Sequence, residues 1–225
     1  RDFKVIAFDL RGHGRSGQPT DPAQYGGEMV EDVVRLMDHL HIDKAHVAGY
    51  SLGGFITLKL LATHPERVRS AAICAAGWTS ADSPDALPSP YSKPVPPAPT
   101  AEDKPVAAAA SVLPLPAATQ KTVFHRLRSW VGDRLVNKAA IKAMKKGYGG
   151  LRVPEESLAG IKVPTLLIIG DQDGFLYLAE ALHARMPGMP MVRLAGANHF
   201  TAPFYPGFKR ALHDFFMAQR AAVTP

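Results

Sequence analysis

Short, nearly continuous apolar runs alternate along this chain with stretches whose apolar residues recur every three or four positions, a pattern that predicts strands and helices in turn. Phe3, Val5, Ile6, Ala7 and Phe8 make a first strand-like run that ends at Asp9 and breaks into Arg11-Gly12-His13-Gly14-Arg15-Ser16-Gly17. Val30, Val33, Val34, Met37 and Leu40 then recur at helical spacing. A second run begins at Ala45 and ends at Tyr50, and the helix that follows, carrying Phe55, Ile56, Leu58, Leu60 and Leu61, stops at Pro65. Residues 68–74, 165–169 and 191–194 read as three more strands, with helices over 176–186 and 208–219. Short buried strands alternating with helices predict an α/β fold, a mostly parallel sheet with helices on both faces.

The stretch from about residue 79 to 160 breaks that rhythm. Ten of the twenty prolines lie between Pro84 and Pro116, so this part reads as an extended proline-rich strap followed by a helical segment over 122–144. The division that follows is a core over 1–77 and 161–225 with a lid or cap inserted at 78–160. Charge is uneven in the same place. Residues 121–152 hold nine Lys or Arg against one acid, Asp133, a net of +8, while the whole chain is only +6. A solvated helical face is the first reading of this charge, and steering of anionic or membrane-surface partners toward the site is the second; no recognition-helix pattern accompanies it, so nucleic acid is not an expected partner. The single cysteine, Cys74, lies in an apolar run and reads as a buried structural thiol. No stretch approaches the roughly 18 uninterrupted apolar residues that a membrane helix needs.

The most informative stretch is Gly49-Tyr50-Ser51-Leu52-Gly53-Gly54. A strand that must reverse within a few residues into a helix crowds its own backbone, and glycines two before and two after Ser51 are expected to relieve that crowding. The serine oxygen is then exposed at the top of a sheet. The free N–H groups and positive dipole end of the following helix face any oxyanion forming there.

Four landmarks in this order resemble the α/β-hydrolase superfamily: Asp9-Leu10-Arg11-Gly12-His13-Gly14-Arg15-Ser16, the elbow around Ser51, Leu167-Ile168-Ile169-Gly170-Asp171-Gln172-Asp173, and Gly196-Ala197-Asn198-His199-Phe200. A serine at the elbow is similar to the esterase and lactonase branch rather than to the dehalogenases and epoxide hydrolases, which carry aspartate there. The resemblance implies Ser51 as nucleophile, His199 as general base and then acid, and Asp173 as the carboxylate that orients His199. Asp171, in the same turn, is the rival for that last role. No cofactor and no metal is implied. His183 and His213 fall within helices, His39 and His41 would not face one another as ligands, and His13 sits in a turn that its glycines already explain.

In the superfamily one oxyanion donor is the amide after the nucleophile, here Leu52, and a second comes from a loop after an early strand. Nothing upstream of Arg1 supplies that loop, so the chain is expected to be the later part of a longer protein whose early strands are missing. The implied function is hydrolysis of a small carboxylic ester, thioester or lactone through an acyl-enzyme on Ser51. Carbon–carbon bond hydrolysis or peracid formation on the same residues is an enzymatic alternative. A binding protein that keeps the fold without the chemistry is the non-enzymatic one.

Overall fold

The computed structural model describes residues 2–79 and 137–221. Strands β1 (Ala45–Tyr50), β2 (Val68–Cys74), β3 (Thr165–Gly170) and β4 (Met191–Leu194) form a parallel sheet in that order across the molecule. Helices α1 (Gly27–His39), α2 (Leu52–Thr63), α3 (Lys138–Gly147), α4 (Leu176–Arg185) and α5 (Pro206–Ala221) complete it, so the α/β architecture read from the sequence is the architecture found.

Alternation along each strand divides the core in two. Ala71, Ile73, Leu167 and Ile169 point to one face, where they meet Phe55, Leu58 and Leu61 of α2 and Leu178 and Leu182 of α4. Their neighbours Ala72, Cys74, Leu166 and Ile168 point to the other and pack with Phe208, Leu212, Phe215 and Phe216 of α5. Both faces of the central strands are covered, which is why these strands read as unbroken apolar runs.

The proline-rich strap and most of the expected 122–144 helix lie outside the described residues. The described end of the expected lid, 137–160, packs into the first core cluster through Ala143, Met144, Leu151, Val153 and Leu158. Asn137 caps α3 by accepting from the Ala139 amide at 2.9 Å. Two glycine-bearing segments touch here: Gly26 has φ +66°, and a Cβ on it would strike the Gly147 carbonyl. Where the chain leaves the core, Trp78 Nε1 donates to the Val153 carbonyl at 2.8 Å, and the Arg185 guanidinium lies 4.0 Å over the indole while pairing with Glu155 at 3.0 Å.

The expected 122–144 helix does not run through Asn137, whose backbone is extended ahead of a helix that begins at Lys138, and the expected first strand is not found. Phe3, Val5, Ile6, Ala7 and Phe8 form no strand. Val5 is 82% exposed and Ile6 and Phe8 are each 42% exposed. A strand exists only by pairing its N–H and C=O groups with a neighbour, and among the described residues no strand lies alongside this segment. Other contacts hold it: Phe3 packs edge-on to His46 (5.7 Å) and Phe216 (6.4 Å), and Arg220 donates to the Asp2 carbonyl at 2.9 Å. The following turn is tied to α1 by Arg11, whose Nε and Nη2 bind the Asp32 carboxylate at 2.6 Å each. Among the described residues no helix is long and apolar enough to cross a membrane.

His46, on β1, bonds the buried Ser70 hydroxyl through Nδ1 at 2.7 Å between the rings of Phe3 and Phe216. Burial, with the Arg69 charge adding to it, holds this imidazole below its ordinary value. The unfolded chain therefore binds the proton more readily, so this contribution to stability is complete above about pH 6.5 and is lost as pH falls from there through the lower value of the folded protein. Thermal melts at pH 7.5 and 5.5 should show a smaller acid-induced drop for His46→Gln than for the wild type; equal drops would remove His46 from the account.

Candidate active site

β1 delivers Ser51 into a backbone conformation that few side chains adopt, φ +55° and ψ −117°. Neighbours hold it there. The Ser51 amide donates to the Cys74 carbonyl of β2 at 2.9 Å, and the Ser51 carbonyl accepts from the amides of Gly54 and Phe55 as α2 begins. A Cβ on Gly49 would collide with the Gly53 carbonyl and with Thr57 Oγ1, and a Cβ on Gly54 would meet the Ala76 Cβ at 2.6 Å. Gly53 differs. A Cβ there meets nothing within 4 Å among the described residues, so the crowding at the elbow is relieved by Gly49 and Gly54 and not, as the five-residue pattern suggested, by Gly53.

His199 Nε2 lies 2.9 Å from Ser51 Oγ, and its Nδ1 lies 2.9 and 3.0 Å from the two oxygens of Asp173. Asp173 is fully buried and His199 is 5% exposed. A carboxylate can only accept, so Nδ1 carries the hydrogen and the lone pair of Nε2 faces the serine hydroxyl. Asp173 Oδ1 also accepts from the Phe175 amide at 2.9 Å, at the N-terminal end of α4, where free amides and the helix dipole favour a negative charge. Leu52 opens α2, so its amide is among those with no acceptor inside the helix.

Asp171 sits elsewhere. Its Oδ1 accepts from the Gly196 amide at 2.8 Å and clips the β3 turn to the loop carrying His199. His13 Nδ1 lies 3.3 Å from the Arg11 carbonyl, and His213 pairs with Asp214 and Asp2, so neither joins the Ser51 group. Burial pushes the Cys74 thiol up to about 12, as suits a structural residue whose carbonyl anchors the elbow.

The sequence reading missed the aromatic surroundings of His199. Phe175 and Phe200 stand edge-on to its ring at 5.0 and 5.4 Å, and Tyr50 lies 5.7 Å away and donates its hydroxyl to the His199 carbonyl. Adjacency to Ser51 in the elbow was the only available signal for Tyr50. The Asn198 side chain, accepting from the amides of Phe200 and Thr201, shapes the turn on which His199 rides. An apolar groove lined by Ile161, Pro164, Met186 and Phe215 opens at the opposite ends of β3 and β4, remote from Ser51.

Residues 1–204 match the family model described as alpha/beta hydrolase fold. A putative carbamate hydrolase RutD from Azorhizobium caulinodans is 43% identical over 79 residues, 35% of this chain and 29% of that protein. The matched stretch thus spans less than a third of that curated relative. Among solved structures, one from carboxylesterase work on the thaumarchaeon Nitrososphaera gargenis superposes with TM-score 0.69 at 19% identity, over 96% of this chain and 80% of its own. The enol-lactonase from Burkholderia xenovorans LB400 superposes with TM-score 0.67 at 23% identity, over 93% and 79%. At these identities the likeness to the solved structures is one of fold.

The three elbow glycines should separate in an alanine series followed by thermal or chemical unfolding. Gly49→Ala and Gly54→Ala should each cost about 1–3 kcal/mol through overpacking, whereas Gly53→Ala should be neutral or gain up to about 1 kcal/mol from helix propensity. A destabilised Gly53→Ala would contradict this geometry.

Proposed function

The chain belongs to the alpha/beta hydrolase fold family, and from that premise we propose that it hydrolyses a small carboxylic ester, thioester or lactone through an acyl-enzyme on Ser51. The observation that carries this reading is the hydrogen-bonded chain from Ser51 Oγ through His199 to Asp173, at 2.9 Å on the serine side and 2.9 Å on the carboxylate side. A serine hydroxyl is a poor nucleophile at neutral pH until a base takes its proton.

In the proposed cycle, Ser51 Oγ attacks the carbonyl carbon while its proton passes to His199 Nε2. The imidazolium so formed is stabilised by Asp173, which remains ionised. Negative charge gathers on the former carbonyl oxygen, facing the Leu52 amide and the start of α2. His199 then returns the proton to the leaving oxygen or sulfur as the bond to the acyl carbon breaks. A water repeats the sequence in the second half: His199 takes its proton, hydroxide adds to the acyl carbon, and Ser51 leaves with the proton restored. Aromatic side chains around His199 support the reading by keeping the ring out of bulk water, where its bonds to Asp173 and Ser51 would compete with solvent. The choice among ester, thioester and lactone belongs to the pocket walls.

Labelling by a fluorophosphonate and turnover of short p-nitrophenyl esters test the proposal directly. Wild type should label on Ser51 and release nitrophenol, and Ser51→Ala should do neither. Asp173→Asn, which presents the wrong hydrogen-bonding group to Nδ1, should lower kcat by about 10⁴-fold, the loss typical of this substitution. Asp171→Asn keeps an acceptor for the Gly196 amide and should lower kcat by less than about tenfold. A wild-type protein that neither labels nor turns over any ester of the series overturns the reading.

A further inference from the structure

Ser51 and His199 are 148 residues apart in sequence, one following β1 and the other following β4, with β2 and β3 between them. At the usual spacing of parallel strands the two backbones are about 14 Å apart, so their side chains meet only because the loop after β4 leans back across the sheet. The Asp173 bond orients the imidazole from its far nitrogen. It does not set how far Nε2 stands from Oγ.

Three side-chain ties hold that loop to its surroundings, beside the backbone bond from the Gln172 amide to the Ala197 carbonyl at 3.0 Å. Gly196 donates to Asp171 Oδ1 at 2.8 Å, which links the loop to the end of β3. The Tyr205 hydroxyl donates to the Gly196 carbonyl at 2.9 Å, which links the loop to the turn that follows it. The Tyr50 hydroxyl donates to the His199 carbonyl at 2.5 Å, and of the three it alone reaches the strand that carries Ser51. Tyr50 is bonded covalently to Ser51, so a single side chain spans from the backbone of one partner to the backbone of the other. Its ring is itself braced, 5.9 Å from Phe208 in an edge-on contact and 5.7 Å from the imidazole. Burial, with the Asp173 charge adding to it, pushes the phenol well above its ordinary value, so the hydroxyl holds its proton more firmly than a free phenol does.

We infer that Tyr50 is a positioning residue: its hydroxyl, bound to the His199 carbonyl, sets the distance between His199 Nε2 and Ser51 Oγ. The inference rests on the acyl-transfer reading for its effect on rate. Misplacement of a reacting pair by about 1 Å costs on the order of 10²-fold in rate, while ground-state substrate contacts are unaffected.

Tyr50→Phe removes the hydroxyl and keeps the ring. At a temperature where circular dichroism shows both proteins folded, kcat on p-nitrophenyl esters and the rate of fluorophosphonate labelling should each fall about 10- to 100-fold, with KM changed by less than about threefold. 4-Aminophenylalanine at position 50 restores a donor and should recover most of kcat. Tyr25→Phe, which removes a comparable hydroxyl-to-carbonyl bond whose acceptor is Pro19 (2.7 Å) and not a residue of the Ser51, His199 and Asp173 group, should keep wild-type kcat. The inference is overturned if Tyr50→Phe retains kcat within about twofold of wild type, if KM rises instead, or if Tyr25→Phe loses as much; each value is read against the ~10- to 100-fold expectation. Should Tyr50→Phe fail to fold, the aminophenylalanine protein decides alone, recovered kcat supporting the tie and lost kcat opposing it. A wild type without activity overturns the acyl-transfer reading, and the tie is then judged by NMR. The low-field His199 Nδ1 proton should broaden or shift in Tyr50→Phe and not in Tyr25→Phe; identical spectra overturn the inference.

Discussion

The whole candidate site depends on holding Ser51 at φ +55°. Such a conformation costs on the order of 1–3 kcal/mol at a residue with a side chain, and it persists only where the surroundings leave the backbone no alternative. Here they leave none. The Ser51 amide is taken by β2 through Cys74, its carbonyl is taken by the first turn of α2, and the chain on either side can come this close only because Gly49 and Gly54 lack side chains. The strain has a product: the serine oxygen projects from the C-terminal edge of the sheet, beside the amides that open α2.

The second requirement is electrostatic, and helix ends meet it. Asp173 is fully buried, an expensive place for a carboxylate unless its charge is answered. The Phe175 amide at the head of α4 and the His199 Nδ1–H both donate to it. Two helices therefore aim their N-termini at the same small volume, α4 at the carboxylate and α2 at the side of Ser51 where the proposed oxyanion would form. The cost of burial and the stabilisation of charge come from one arrangement of the backbone.

What was legible in the sequence follows from which interactions are local. The strands β1 to β4 and their helices were readable because each is an apolar run or a helical repeat bounded by Pro, Gly or Asp, all features that act over a few residues. The candidates Ser51, His199 and Asp173, which the structure brings together, were picked out through motifs that are themselves local turns. The failures are all non-local. Residues 3–8 have the composition of a strand, but a strand needs a partner that composition does not reveal. Gly53 fits the pattern and yet relieves no crowding, because only the three-dimensional approach of Gly49 to the start of α2 decides which glycine matters. Tyr50 was invisible as a tie because its partner lies 149 residues away.

The geometry of the candidate site also depends on sheet register. Tyr50 pairs with Cys74, Cys74 with Ile168 and Ile168 with Val192, so one line across all four strands fixes where each C-terminal loop begins. From that line β1 supplies Tyr50 and Ser51, β2 supplies the carbonyl that anchors Ser51, β3 leads to Asp173 and β4 to His199. A slip of one residue in any pair would move its loop by about 3.3 Å and turn the strand's apolar residues to the wrong face. That displacement exceeds the tolerance of a hydrogen bond at 2.9 Å, so the same packing that buries Ile73, Leu167 and Ile169 on one face and Cys74 and Ile168 on the other also sets the distance from Ser51 to His199.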